Sequence, residues 1–375
     1  MNHPRVLTLV LAGGEGNRLG PLTENRAKPV APFLGAFRLL DFVLSNVAHS
    51  QLRDVWILEQ FQAHSINEHL CGGRPWDLDR THGGLQILPP FQGNPESGWH
   101  EGNADALWRN ARIIRQFNPD LVLVLSADAV YRLDYREVIE AHQKLKAEVT
   151  MVSTSVPREE ATRFGNIETD KTNRVSRFVY KPDEPLGKGK EAQVTCEVFV
   201  YDAQVLLDTL DQLATGDGQT PEEAALSDFG HELLPHFVER GRAYSFEMNG
   251  FWRDVGTLDS YFDTQMEFLD SPPFDMNDSA CPIWTRPSAV GPTRLAPKAK
   301  VENCLLGAGA NIAGQAKNCI IGPNVCIEEG AEVEDCILNG NARVKAGVRL
   351  KRVIVDEGTT VSKDETGKKH VAVVT

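Results

Sequence analysis

Four short apolar tetrads recur in the last quarter of the chain: CLLG at 304, CIIG at 319, CILN at 336 and VIVD at 353, spaced by 15, 17 and 17 residues. Between them lie GAGANI, GPNVCI, GAEV and GNARVKAGVRL, so that an aliphatic residue returns at about every sixth position with small residues in between. This recurrence restricts the fold severely. Each turn of chain carries a narrow apolar face that it cannot bury alone, so successive turns have to stack. The pattern predicts short parallel strands wound as a β-helix, and its regularity favours that arrangement over a loose antiparallel sheet. Cys304, Cys319 and Cys336 hold equivalent places in successive turns. With no histidine beside them, they read as stacked small apolar side chains rather than a metal ladder.

The chain before the repeat follows a different rule. VLTLVLAGG, DVWILEQF, DLVLVLSAD, EVTMVSTSV and CEVFVYDA read as buried strands. FRLLDFVLSNVAHS and NADALWRNARIIRQF have helical spacing, the first through Leu39, Leu40, Val43, Leu44 and Val47. Continuous apolar strands alternating with helices predict an α/β domain with a Rossmann-like, mostly parallel sheet. Ligands of such sheets sit at the carboxyl ends of the strands. Proline and small polar residues gather in LDSPPFDMNDSACPIWTRPS, which reads as a linker. The expected division is residues 1–268 as a catalytic domain, 269–288 as the linker and 289–375 as the β-helix domain.

At 375 residues and a net charge of −13, the chain is too acidic overall for a general nucleic-acid or membrane-surface binder. No apolar run approaches the ~20 residues of a membrane span, and no signal-peptide pattern is read at the start. The seven cysteines include no CxxC pair, which suggests reduced thiols in a cytoplasmic protein.

Three glycines at 13, 14 and 16 follow the first strand, and Arg18 and Lys28 lie just beyond, ten residues apart. Glycines let backbone N–H groups approach a phosphate closely, and the two cations supply charge at separate points along a triphosphate. Pro29 makes a continuing helix after Lys28 unfavourable. The segment matches neither GxxxxGK[ST] nor GxGxxG. Two carboxylates stand out: Asp128 after an apolar strand, and Asp254 in FWRDVGT. Beside a phosphate substrate such a pair suggests Mg²⁺, although each alone reads equally well as a strand-end or turn aspartate with local hydrogen bonds.

The stretch LVLAGGEGNRLGPLTENRAKPVAPFLGAFRLLDFVLSN closely resembles the start of bacterial glucose-1-phosphate adenylyltransferases, within the sugar-1-phosphate nucleotidyltransferases. The likeness continues through EQFQAHS, WHEGNADAL, DAVYRLDY, FGN, YKPDEP, SDFGHELLP and FWRDVGT. It implies a catalytic domain joined to a left-handed parallel β-helix, with ATP and α-glucose 1-phosphate giving ADP-glucose and pyrophosphate for glycogen or α-glucan synthesis. It further implies Mg²⁺ held by Asp128 and Asp254, and catalytic roles for Arg18, Lys28 and Asp128. Leu11, Ala12, Gly13, Gly14, Gly16, Gln60, Trp99, Gly102 and Asp105 fall on nucleotide-binding positions. Gly165, Tyr180, Lys181, Glu197 and Asp228 fall on positions around the sugar phosphate. A homotetramer is implied as well.

Several residues depart from that family's pattern. Ala127 and Ala129 flank Asp128 where glycine and histidine are usual, and Tyr180 replaces a glutamate before Lys181. Thr195 and Glu197 occupy a Ser-x-Gly segment, and His100 and Glu101 follow Trp99 in place of an aromatic-basic pair. Asn25 stands where an activator-binding lysine is common, which argues against control by sugar phosphates. The departures gather on the sugar side, so the expectation is retained ATP binding with an altered acceptor pocket. The readings to separate are adenylyl transfer to glucose 1-phosphate, the same chemistry on another sugar 1-phosphate, and a catalytically weak regulatory paralogue.

Overall fold

The computed structural model describes residues 3–13, 16–89, 102–214, 226–276 and 278–375. Its first part is built on a nine-stranded sheet. The strands are β1 (Val6–Ala12), then a small separate hairpin β2 (Pro32–Phe33) and β3 (Phe37–Arg38), β4 (Asp54–Glu59), β5 (Gly84–Leu88), β6 (Leu121–Ser126), β7 (Ala129–Tyr131), β8 (Val149–Pro157), β9 (Gly165–Thr169), β10 (Val175–Tyr180), β11 (Glu191–Asp202), β12 (Ala243–Glu247) and β13 (Trp252–Asp254). The helices are α1 (Leu39–His49), α2 (Ala63–Leu70), α3 (Asn103–Arg109), α4 (Ala111–Phe117), α5 (Tyr135–Leu145), α6 (Ala203–Ala214), α7 (Leu233–Glu239) and α8 (Leu258–Asp270).

Strands β5, β4, β1 and β6 run parallel, with Leu9 of β1 opposite Trp56 on one side and Val124 on the other. β11 joins β6 antiparallel, and β8, β12, β9 and β10 extend the sheet from there. Alternation along β1 sends Val10 and Ala12 into one core, with Leu40, Val43 and Val47 of α1 and Val138 of α5. Leu7, Leu9 and Leu11 enter the other, with Ile114 of α4, Leu206 and Leu210 of α6 and Phe237 of α7. A sheet covered on both faces explains why these strands are almost uniformly apolar. The NADALWRNARIIRQF segment, expected as one helix, is divided at Asn110 into α3 and α4. The Asn110 side-chain amide donates to the carbonyl of Ala106 at 2.8 Å, and the residue, at φ −91° and ψ 0°, caps the end of α3 and the start of α4.

Beyond residue 293 every strand pairing is parallel. Lys300–Leu306, Gln315–Ile321 and Glu332–Leu338 stack in register, bringing Cys304, Cys319 and Cys336 into one row. Within the last three tetrads the first and third residues face inward: Cys319, Ile321, Cys336, Leu338, Val353 and Val355 form the solenoid core. The middle residues Ile320, Ile337 and Ile354 face outward and are buried against Phe33, Phe42, Tyr261 and Phe262 of the first part. Ion pairs flank this seam, including Arg26–Asp356 at 2.7 Å, Arg38–Glu357 at 2.8 Å and Arg352–Asp263 at 3.4 Å. All seven cysteines are free thiols. Among the described residues no helix is long and apolar enough to cross a membrane.

Candidate active site

β1, β4 and β6 end side by side, and the chain leaves each of them toward the same place. From β1 it enters the glycine segment, from β4 it reaches Gln60, and from β6 it turns through Asp128 into β7. β7 pairs with β13 so that Ala129 lies opposite Asp254. That small ribbon brings two aspartates 126 residues apart in sequence to one point, which Lys28 marks. Its ammonium lies 2.6 Å from Asp128 Oδ2 and 3.7 Å from Asp254 Oδ1. Lys28 opens a single 3₁₀ turn, Lys28–Val30, with Pro29 in its first turn, and is 6% exposed.

Burial alone would lower the Lys28 pKa, but Asp128 and then Asp254 outweigh it and hold it above its ordinary value. Burial pushes Asp128 up, yet Lys28 and the Ser126 hydroxyl, which donates to Asp128 Oδ1 at 2.5 Å, bring it below the usual range. Asp254 is instead raised, by burial first and by the charge of Asp128, against Lys28 and Arg163. The two carboxylates thus sit in a partly desolvated place with Lys28 and Arg163 as their counter-charges. A divalent cation with phosphate oxygens completing its shell suits such a donor set, because this class of ion takes one or two protein carboxylates beside phosphates. Asp128 keeps 30% of its side chain exposed, so an ion entering with a ligand can reach it. Among the described residues there is no cluster of three or more histidine, cysteine or acidic side chains suited to a metal.

The glycine segment packs directly on this centre. A Cβ on Gly13 would lie 3.3 Å from Gln60 Cβ. Gly16 has φ +68°, and a Cβ there would meet Lys28 Cβ at 3.0 Å, so both backbone shape and space require glycine. The Thr23 hydroxyl donates to the Gly16 carbonyl at 3.1 Å and ties the turn down. Leu11 and Ala12 are the buried end of β1. Arg18 is exposed, and its charge lowers the pKa of Lys28 and of both aspartates. Gly14 and Trp99, with His100 and Glu101, lie outside the described residues.

The opposite wall is assembled from β10, β11 and the segment before α7. Tyr180, the last residue of β10, donates to Asp228 Oδ2 at 2.5 Å and accepts from Lys181 Nζ at 2.6 Å. Burial and the Asp228 charge raise the Tyr180 pKa far above the usual phenol range, so it stays protonated. Gly165 opens β9 beneath Phe178 and Thr195, where a Cβ would come within 2.8 Å of the ring. Glu197 sits in the irregular stretch of β11 between Thr195 and Phe199, with φ +55°. It keeps the left-handed backbone that favours glycine, at a cost of about 1 kcal/mol. Burial, then Asp128, Asp228 and Asp254, push its carboxyl up to about 7. Gly102 caps α3 against the Ser227 carbonyl, which a Cβ would approach to 2.3 Å. Asp105 stands apart: it is fully buried, and Arg109 holds its carboxylate at 2.8 Å.

Sequence reasoning missed three groups here. Arg163 forms an ion pair with Asp254 Oδ2. Ser126 positions Asp128, and Gly230 makes room for the Tyr180 ring, which a Cβ would approach to 2.2 Å. SDFGHELLP, quoted above, contains one of them, Gly230, and DLVLVLSAD contains Ser126. Buried Trp252 Nε1, Arg163 Nε and Asp228 Oδ1 have no hydrogen-bond partner among the described residues. Away from this centre, a cleft of about 690 Å³ between the first part and the solenoid is lined by Asn25, Arg26, Arg38, His69, Arg286 and Glu357, among others. Its Arg26 and Arg38 are already paired with Asp356 and Glu357.

The family model described as nucleotidyl transferase matches residues 7–271, and the one described as GlmU-like, C-terminal hexapeptide, matches residues 291–369. A glucose-1-phosphate adenylyltransferase of Desulfitobacterium hafniense (strain DSM 10664 / DCB-2) is 35% identical over 363 residues, 96% of this chain and 89% of its own. One from Pseudothermotoga lettingae is 39% identical over 331 residues, 88% of this chain and 76% of its own. One from Acetivibrio thermocellus is 33% identical over 367 residues, 97% and 84%.

Proposed function

From the premise that this chain belongs to the glucose-1-phosphate adenylyltransferase family of nucleotidyl transferases, we propose how its own residues carry out the reaction. The protein is a nucleotidyltransferase that moves the adenylyl group of ATP to α-glucose 1-phosphate, giving ADP-glucose and pyrophosphate for α-glucan synthesis. A phosphate oxygen of the sugar attacks the α-phosphorus of ATP, and the bond from that phosphorus to the β-phosphate bridging oxygen breaks. A sugar phosphate dianion is already a nucleophile, so no protein nucleophile is required, and alignment and charge stabilisation supply the acceleration.

The backbone from Leu11 to Gly16, with Gln60, takes the nucleotide, and Gly102 and Asp105 shape the wall behind its base. Trp99 and Gly14 belong to the same set. Arg18 and Lys28 stabilise the leaving pyrophosphate, and Gly165, Tyr180, Lys181, Glu197 and Asp228 form the acceptor pocket. Enzymes of this type generally use a divalent metal. We take it to be Mg²⁺, held by Asp128 and Asp254, where it would offset charge on the phosphate oxygens. We also propose the domain division at residues 268 and 288, a homotetramer and a cytoplasmic setting.

The observation that carries the site assignment is the meeting of Asp128 and Asp254 on Lys28 beside Gly16. Pyrophosphate release measured across a panel of nucleoside triphosphates and sugar 1-phosphates tests the whole reading. ATP with α-glucose 1-phosphate is expected to give the highest kcat/KM. A higher value for another pair, or no release with any pair, would sink it.

A further inference from the structure

Neighbouring side chains on a strand point to opposite faces. Tyr180 and Lys181 break that rule. Lys181 follows the last residue of β10 with φ +43°, and its backbone N–H donates to the Phe164 carbonyl at 3.0 Å. The left-handed turn folds the lysine back on its neighbour. Its ammonium lies 4.4 Å from the centre of the Tyr180 ring and 2.6 Å from the hydroxyl oxygen.

The tyrosine is fixed on every side. Its ring rests on Gly230 and meets the His231 ring edge-on at 5.0 Å. A phenol has one proton to donate. Asp228 Oδ2 accepts that hydrogen bond, which leaves the oxygen lone pairs for Lys181. Asp228 itself has one oxygen, Oδ1, buried without a partner among the described residues. The order is thus Asp228, Tyr180, Lys181, with a neutral oxygen touching the ammonium. A direct carboxylate contact would cancel the lysine charge, whereas a phenol oxygen orients it and leaves the charge for a ligand.

We infer that Tyr180, aligned by Asp228, is a positioning residue that holds Lys181 in place for the phosphate of the sugar 1-phosphate. This rests on the adenylyl-transfer reading, which supplies that ligand. Tyr180 acts through Lys181, so its effect should vanish once the lysine is gone.

The test is a double-mutant cycle on the full-length protein with Tyr180→Phe, Lys181→Gln and both. It reads the Kd of α-glucose 1-phosphate and of ATP by calorimetry, and the KM and kcat of ADP-glucose formation. Y180F keeps the ring on Gly230 and removes only the oxygen. It should weaken sugar-phosphate binding about tenfold and leave ATP binding within about twofold. In the K181Q background, adding Y180F should change sugar-phosphate binding by less than about twofold. A merely structural tyrosine would instead weaken both ligands together. The inference is overturned if Y180F leaves sugar-phosphate binding unchanged, or weakens it by the same factor with and without Lys181. Binding of glucose 1-phosphate without ADP-glucose formation would sink the adenylyl-transfer reading while the cycle still decides on Tyr180. ADP-glucose formation with an additive cycle would sink the Tyr180 inference alone, and a wild-type protein that binds no glucose 1-phosphate would sink both.

Discussion

Replacing Lys28 with methionine separates the counter-charge it gives Asp128 and Asp254 from the part proposed for it in stabilising the leaving pyrophosphate. At 2.6 Å and 3.7 Å the two attractions are about 6 and about 4 kcal/mol before desolvation, with an effective dielectric of about 20. Burying the ammonium takes back several kcal/mol, and breaking a buried pair from one side typically costs about 3–5 kcal/mol. The partial exposure of Asp128, 30% of its side chain, points to the lower end. Because the Lys28 pKa is raised, this stabilisation is present below its ordinary value of 10.5 and is lost only as pH climbs through the higher folded value. At neutral pH the full cost should therefore appear. K28M in EDTA should melt well below the wild type, and turnover should fall about 10²-fold or more. Saturating Mg²⁺ should then raise the apparent Tm of the variant more than that of the wild type, because the ion replaces a missing counter-charge. Thermal unfolding of both proteins, with and without the metal, reads this directly. Equal melting temperatures in EDTA, or equal shifts on adding metal, would refute the account of Lys28 as the built-in cation of the carboxylate pair.

Two further outcomes follow from the same electrostatics. Glu197 titrates at about 7 when folded against an ordinary 4.5, so between these values the unfolded chain loses its proton first and wild-type stability falls as pH rises, by up to about 3 kcal/mol. Glu197→Gln should flatten that window, and urea midpoints at pH 5 and pH 8 in EDTA should differ less for the variant than for the wild type. Arg26→Ala leaves Asp356 and Glu357 without their 2.7 Å and 3.2 Å partner across the seam and should cost about 2 kcal/mol. Limited proteolysis between residues 271 and 293 should quicken accordingly, and an unchanged cleavage rate would count against the seam as a source of stability.

The sequence carries some of these relations openly and hides others. The solenoid register was legible because the recurring apolar tetrads align with one another, and Cys304, Cys319 and Cys336 fall in one row as expected. Gly16 and Lys28 stood out by residue type, and the structure puts the backbone of one against the side chain of the other. Asp128 and Asp254 stood out as a possible pair by residue type, and the resemblance strengthened the reading, but their meeting depends on the pairing of two three-residue strands that no local pattern announces. Arg163 was invisible for the same reason: an arginine in a turn reads as solvated until a distant carboxylate is brought to it. The Tyr180–Lys181 contact was obscured because strand alternation places neighbours on opposite faces, and only the positive φ at 181 undoes this. Asn110 shows the limit of helical periodicity, which reads the apolar face correctly but not the side chain that interrupts the backbone.

Ile320, Ile337 and Ile354 belong to the solenoid by sequence and to the first part by burial. The stretch that seals this flank is therefore synthesised after the residues it covers. Until it arrives, the flank of the Phe33, Phe42 and Phe262 cluster that the three isoleucines cover is open to water. A truncation near residue 290 would yield a sticky fragment rather than a smaller enzyme, and selection on the repeat has to preserve its outer row as strictly as its inner one.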